Sequence, residues 1–157
     1  MNAQAAPADL AGLAQAVTDF VPLNRHLGVR VTELTSQLAV AELAAGDDLR
    51  NHVGTMHAAA LFLVAEAAAG AAFVSAFATD LSAIRFVMRQ AETSFVRPAR
   101  GGVRAVAEVP ADRDDILAKV AADGKAIVTV TATVTEEDDG GTVAIMRATY
   151  HVSPARG

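Results

Sequence analysis

The 157-residue chain has no cysteine, which excludes disulfide bridges, a thiolate nucleophile and any cysteine-based zinc site. A reducing compartment fits that absence. Positive charge is also scarce: 13 Lys and Arg stand against 18 Asp and Glu, a net charge of −5, so nonspecific binding to nucleic acid is not expected. The opening MNAQAAPADL lacks the basic start and apolar run of a secretory signal, and the expected location is cytoplasmic. No internal repeat and no break in composition divides the chain. What the sequence does have is apolar residues, 52% of the total, enough over this length for the core of one domain.

Residues 1–8 read as a loose tail, 9–152 as the single domain and 153–157 as a C-terminal tail. Asp9 is a candidate N-cap for a helix whose apolar stripe is Leu10, Leu13, Ala14, Val17 and Phe20, with Pro22 ending it. Residues 29–34 and 37–43 read as strands joined around Thr35 and Ser36, and 44–56 carries loop chemistry. Further strands are expected at 83–97, 103–109, 127–135 and 142–152, the last two forming a hairpin across the polar turn Glu136 to Gly141. Asp112 to Ala122, closed by Gly124, reads as a short helix. The parts list is that of an α+β domain.

The segment AAALFLVAEAAAGAAFVSAFA, residues 58–78, is apolar or small throughout except at Glu66. A helix apolar on all sides must be buried in protein or lipid. Residues 58–78 are long enough to span a bilayer. However, about half of them are Ala, and an acidic residue near the midpoint costs about 2.5–3.5 kcal/mol. No membrane association is therefore expected. The alternative is a long curved antiparallel sheet of about six strands wrapped around this central helix. Small residues would let it sit close to the strands, with Leu61, Phe62, Phe73 and Phe77 filling the gaps. A carboxylate in that setting raises its own pKa and needs a partner, a wet cavity or a task.

The loop NHVGTMH, residues 51–57, ends where this helix begins. The backbone N–H groups of Ala58 and Ala59 would project from the helix N-terminus, at the positive end of its dipole, where an anion or developing oxyanion is stabilised. Gly54 gives room for a close ligand, and Asn51 can donate to a carbonyl or orient a water. Ala58 and Glu66 are eight residues apart, roughly 12 Å along one helix, too far for one small reacting group to touch both. Two chains paired with these helices antiparallel would bring Glu66 of one to the helix N-terminus of the other.

Asn51, Gly54, His57 and Glu66, in the pattern N-x-x-G-x-x-H followed nine residues later by an acid, resemble the hotdog-fold acyl-CoA thioesterases of the PaaI-like group. The stretch SFVRPARGGVRAVAEV and the strands ADGKAIVTVTATV and GTVAIMRATY are similar to that family too, over roughly residues 20–152. The resemblance implies hydrolysis of an acyl-CoA or related thioester at the interface of a homodimer or homotetramer, with coenzyme A present only as part of the substrate and no other cofactor. It implies Glu66 as general base or nucleophile, the Ala58 N–H as oxyanion donor, Asn51 as holder of the carbonyl or water, and His57 as support for the helix start. Gly54, Thr55, Met56 and Ala59 would contact substrate.

Two departures stand out. Ala58-Ala59 replaces the family's usual Gly-Gly, narrowing the approach. Gly70 stands where some relatives keep a Thr or Ser that helps position water.

Other readings remain open. Arg97, Arg100 and Arg104 cluster near Gly101-Gly102 and are candidates for the phosphates of coenzyme A, although surface arginines are commonly just solvated. Asn51 is equally a common turn residue, and Glu66 could be a structural carboxylate paired across a dimer. His52 and His57 lack the close helical pairing of a zinc-binding motif, so no metal is expected. Asp47 with His52 faintly resembles the hydratase branch of the superfamily. A non-catalytic acyl-CoA binding or scaffold protein is the main alternative to a thioesterase.

Overall fold

In a computed structural model of the protein, which describes residues 9–108 and 113–155, the first helix, α1 (Leu10–Phe20), starts where Asp9 accepts a hydrogen bond from the Gly12 N–H. Pro22 ends α1 and also opens a second short helix, α2 (Pro22–Leu27), because a proline at the first helical position has a suitable φ and lacks only an N–H the helix does not use. Gly28, at φ +80°, closes α2 in the left-handed conformation and turns the chain into β1 (Arg30–Leu34).

Strand β2 (Leu38–Leu43) follows, then a loop with a 3₁₀ turn at Asp47–Leu49, then the long helix α3 (Ala58–Ala76). The chain continues through β3 (Ile84–Phe95), β4 (Val103–Glu108), α4 (Arg113–Asp123), β5 (Ala126–Glu136) and β6 (Thr142–Pro154). The N-terminal tail, Val109, Pro110 and the Asp112 helix start lie outside the described residues. Strand β6 continues past Val152, with Ser153 and Pro154 paired to Arg85 and Ile84.

All six strands form one antiparallel sheet in the order β1-β2-β4-β5-β6-β3. The helix α3 packs on this sheet against β2, β4, β5 and β6. Contact is close because the helix meets the sheet through Ala65, Ala68, Ala69 and Ala72, and the sheet replies with Ala105, Ala132, Ala144 and Ala148, all fully buried. Phe73 and Phe77 stack at 4.6 Å and fill the space at the far end. Ser75 anchors the same end by donating to the Thr35 carbonyl.

One expectation about this core is corrected. Phe62 does not fill it: its side chain is 36% exposed, whereas Leu61 beside it is buried. Position 62 lies one helical turn before Glu66 and shares its face, turned away from the strands that bury Leu61.

Strand alternation explains a feature of the β5–β6 hairpin that its composition hides. Ala126, Val128, Val130, Ala132 and Val134 face the core, and the same period carries Glu136 inward, to 6% exposure. Its carboxylate accepts the N–H groups of Arg100 and Gly101 at 2.6 and 2.7 Å and pairs with Arg97 at 3.0 Å. These contacts, the two N–H bonds foremost, hold the carboxyl below the usual carboxylate range. Glu136 thereby ties the 97–101 loop to the hairpin.

Candidate active site

One stripe of α3 escapes the sheet. Ala58, Phe62, Glu66, Gly70 and Val74 recur every four residues and are exposed or half-buried, with Ala59 beside the first. The spacing keeps them on one face. At one end of the stripe Val74 lines an apolar hollow with Phe86 of edge strand β3, and Phe86, Met88, Ala91 and Thr93 of that strand are only half-buried.

Glu66 lies midway along the stripe. Among the described residues its carboxylate has no hydrogen-bond or ion-pair partner, and burial alone lifts it above the usual carboxylate range. Gly70, one turn on, offers no hydroxyl of its own. A side chain there would approach the hydroxyl of Tyr150, which lies 3.8 Å from the place its Cβ would take. Tyr150 is 2% exposed, and its Oη is buried without a hydrogen-bond partner. Burial pushes its phenol up, and the charge of Glu66 adds to the effect. Tyr150 shares no local sequence motif with Glu66. The signal lay in β6, whose alternation turns Ala144, Met146, Ala148, Tyr150 and Val152 inward.

The start of α3 is defined by His57, whose extended backbone makes it the N-cap and whose Nδ1 accepts the Ala59 N–H at 3.0 Å. That bond assigns the ring proton to Nε2. The His57 carbonyl accepts the N–H groups of Ala60 and Leu61. Among the described residues, the Ala58 N–H has no partner. It is the one open donor at this terminus, since that of Ala59 is taken. Both alanines stand in regular helix, and no non-glycine residue among those described has positive φ. The backbone therefore places no demand on positions 58 and 59 that alanine cannot meet.

The Asn51 side chain is used within its loop. Its Oδ1 accepts the N–H groups of Val53 and Thr55 at 3.0 and 3.1 Å, and its Nδ2 donates to Thr55 Oγ1 at 2.9 Å. Gly54, at φ +80°, makes the reversal that an L side chain would strain, and its carbonyl accepts from Arg50. Thr55 and Met56 are buried at the base of the loop, where the Met56 N–H donates to the Ala99 carbonyl.

The three arginines make different contacts. Arg97 is held by Glu136 and Asp139, and Arg104 lies within ion-pair distance of Glu33 and Glu42. Arg100 flanks a shallow cleft with Arg50, Leu49 and Met56 beside the 51–57 loop. Arg97 and Arg104 are not among the residues that line it. Asp47 pairs with Arg50, and His52 is exposed. Among the described residues no three His, Asp or Glu side chains are grouped to hold a metal ion. Helix α3 is the one helix among them long and apolar enough to cross a membrane, and most of it lies buried against the sheet.

With this geometry the relationships of the chain can be read. A family described as "Domain of unknown function (DUF4442)" matches residues 11–152, and the chain belongs to it. Its α+β architecture is the hotdog fold of PaaI-like thioesterases. A Pseudomonas aeruginosa protein of unknown function, described as a probable thioesterase, superposes with a TM-score of 0.84 at 26% identity, over 95% of this chain and 98% of that one. The Escherichia coli PaaI protein from the phenylacetic acid degradation operon superposes at 0.72 with 19% identity, covering 94% of each chain. A thioesterase family protein from Silicibacter pomeroyi gives 0.75 and 21%, over 93% and 99% of the two chains. No curated protein sequence matches the chain.

Proposed function

We propose that the protein is an acyl-CoA thioesterase of the cytoplasm that works as a homodimer or a dimer of dimers. The observation that carries this reading is Glu66: a half-buried carboxylate without a partner, on the single uncovered stripe of an otherwise buried helix. Such a group is costly to keep and fits a general base. Its pKa is moved toward neutrality, where a base accepts a proton most effectively.

The second component is the open Ala58 N–H at the positive end of α3. Helix geometry separates it from Glu66 of the same chain by roughly 12 Å. Antiparallel pairing of two α3 helices brings the two groups together between chains, and setting Ala58 opposite Glu66 leaves Phe62 opposite its own copy. The exposed Phe62 gives that pairing an apolar centre.

In the reaction, Glu66 takes a proton from water as the oxygen attacks the thioester carbon, and the partner's Ala58 N–H receives the charge that develops on the carbonyl oxygen. Collapse of the tetrahedral intermediate breaks the carbon–sulfur bond, and the protonated Glu66 returns its proton to the leaving thiolate. We assign Arg50 and Arg100, which share one cleft beside the 51–57 loop, to the phosphate groups of the coenzyme. The names of the P. aeruginosa and S. pomeroyi relatives support the same class of reaction.

A second reading has one observation in its favour. Both ends of the Asn51 amide are engaged in the loop, so a carbonyl-polarising group is occupied, as it would be in a protein that binds acyl-CoA and leaves it intact. The two readings separate in one experiment. Purified protein and its Glu66→Gln variant are incubated with short, medium, long and aromatic acyl-CoAs while free thiol is followed. Release by the wild type alone supports the thioesterase. Binding without release supports the carrier, and full-speed release by the variant overturns the proposed mechanism.

A further inference from the structure

We infer that Tyr150 is a positioning residue for Glu66: its hydroxyl, reached across the gap left by Gly70, donates a hydrogen bond to the carboxylate and holds it in its charged, aimed state. This rests on the reading of Glu66 as the reacting base, and it extends that reading to a residue on the opposite wall.

A buried hydroxyl without a partner is uncommon and costly, and Tyr150 Oη is one. Its nearest described surroundings are apolar. The ring packs against Phe73 and Phe86 at 5.3 and 5.9 Å, and Met88 and Val128 lie beside it in the strands on either side. The helix offers Gly70 and, one turn earlier, Glu66. A Cβ on a helix leans toward the N-terminus, so the space above Gly70 opens toward the turn that carries Glu66. Gly70 puts no side chain of its own into the space in front of the phenol. Each group lacks what the other supplies, a donor for Glu66 and an acceptor for Tyr150. No charged side chain contributes to the perturbation of Glu66, and Glu66 is the charge that acts on Tyr150. A neutral donor aimed at a carboxylate favours its ionised form and offsets the cost of burial.

The composition supplies the assay. Tyr150 is the only tyrosine in a chain without tryptophan, so intrinsic emission reports on this one ring. A carboxylate accepting from a phenol quenches its emission. We expect emission of the wild type to fall as Glu66 ionises, with a midpoint above the ordinary glutamate range, and to lack that transition in Glu66→Gln. In Tyr150→Phe, the acidic limb of kcat/KM on an acyl-CoA should move up by about one pH unit, because the carboxylate has lost a donor to its charged form. A purely structural role would not move that limb.

Emission without a pH transition, or with the same transition in Glu66→Gln, overturns the inference; because this measurement needs no Tyr150 variant, it stands whether or not Tyr150→Phe folds. A Glu66-dependent transition in a protein that releases no thiol from any acyl-CoA would keep the pairing and reject the thioesterase. Glu66-dependent hydrolysis with an unmoved acidic limb in Tyr150→Phe would do the reverse.

Discussion

Glu66 and Glu136 are both shielded carboxylates, and burial pushes both upward, so their partners decide where each ends. Glu66 has no partner and is pushed up, whereas Glu136 accepts two backbone N–H groups, pairs with Arg97 and is held down. A carboxyl whose folded pKa is raised contributes stability that is full below its unfolded pKa and lost as pH rises through the folded value. Glu66→Gln should therefore lose roughly 10²–10⁴-fold in turnover and yet be more stable than the wild type at neutral pH. Urea unfolding of both proteins across a pH series checks this, the advantage closing as pH falls to the ordinary carboxylate range. The sign reverses at Glu136, whose contribution is present above its unfolded pKa and lost as pH falls through its depressed folded value. Glu136→Gln should cost about 2 kcal/mol at neutral pH, and its deficit should shrink in acid. The same denaturation series reads it.

Among the elements, the start of α3 permits an unusually clean deletion. Ala58 is the first helical residue and follows an extended His57, the setting in which proline is well tolerated. Ala58→Pro removes the single open N–H while leaving the helix start intact. Turnover should fall about 10²–10³-fold with little change in melting temperature, checked by steady-state kinetics and thermal unfolding. The element boundaries were largely legible in the sequence, since caps, prolines and β-branched runs act locally: Asp9, Gly124 and the Thr-Val alternation of β5 work in the structure as they read in the chain. What escaped reading depends on partners distant in sequence. Pro22 looked like a stop and is also a start. Glu136 looked like part of a solvated turn, though counting by twos from Val128 turns it inward. Phe62 looked like core, because periodicity cannot say which stripe of an all-apolar helix the sheet leaves bare. In the proposed site, Glu66, His57 and the helix N-terminus are legible as one local motif. Tyr150 is not, because only the folding of β6 against α3 brings it to Gly70. The partners of Arg97 escaped for the same reason: Glu136 and Asp139 reach it from the end of β5 and the turn that follows.

At the scale of the whole molecule, the proposed site exists only between two chains, and this can be tested without a structure of the dimer. Glu66→Gln and Ala58→Pro should each be nearly inactive. After unfolding and refolding together, half of the dimers are mixed and carry one intact site of two, so about a quarter of wild-type activity should return. A site contained within one chain would return none. The strand order carries a consequence for how the protein is made. Strand β6 lies between β5 and β3 although it is the last of the six in sequence, and the twelve residues of β3 pair with no other strand among the described residues. During synthesis β3 leaves the ribosome nearly fifty residues before the strand that will cover it, and both β3 and β5 present bare edges until β6 follows. Translation that stops before Thr142 yields no smaller working domain, only a polypeptide with two open strands and the pull toward aggregation that they bring.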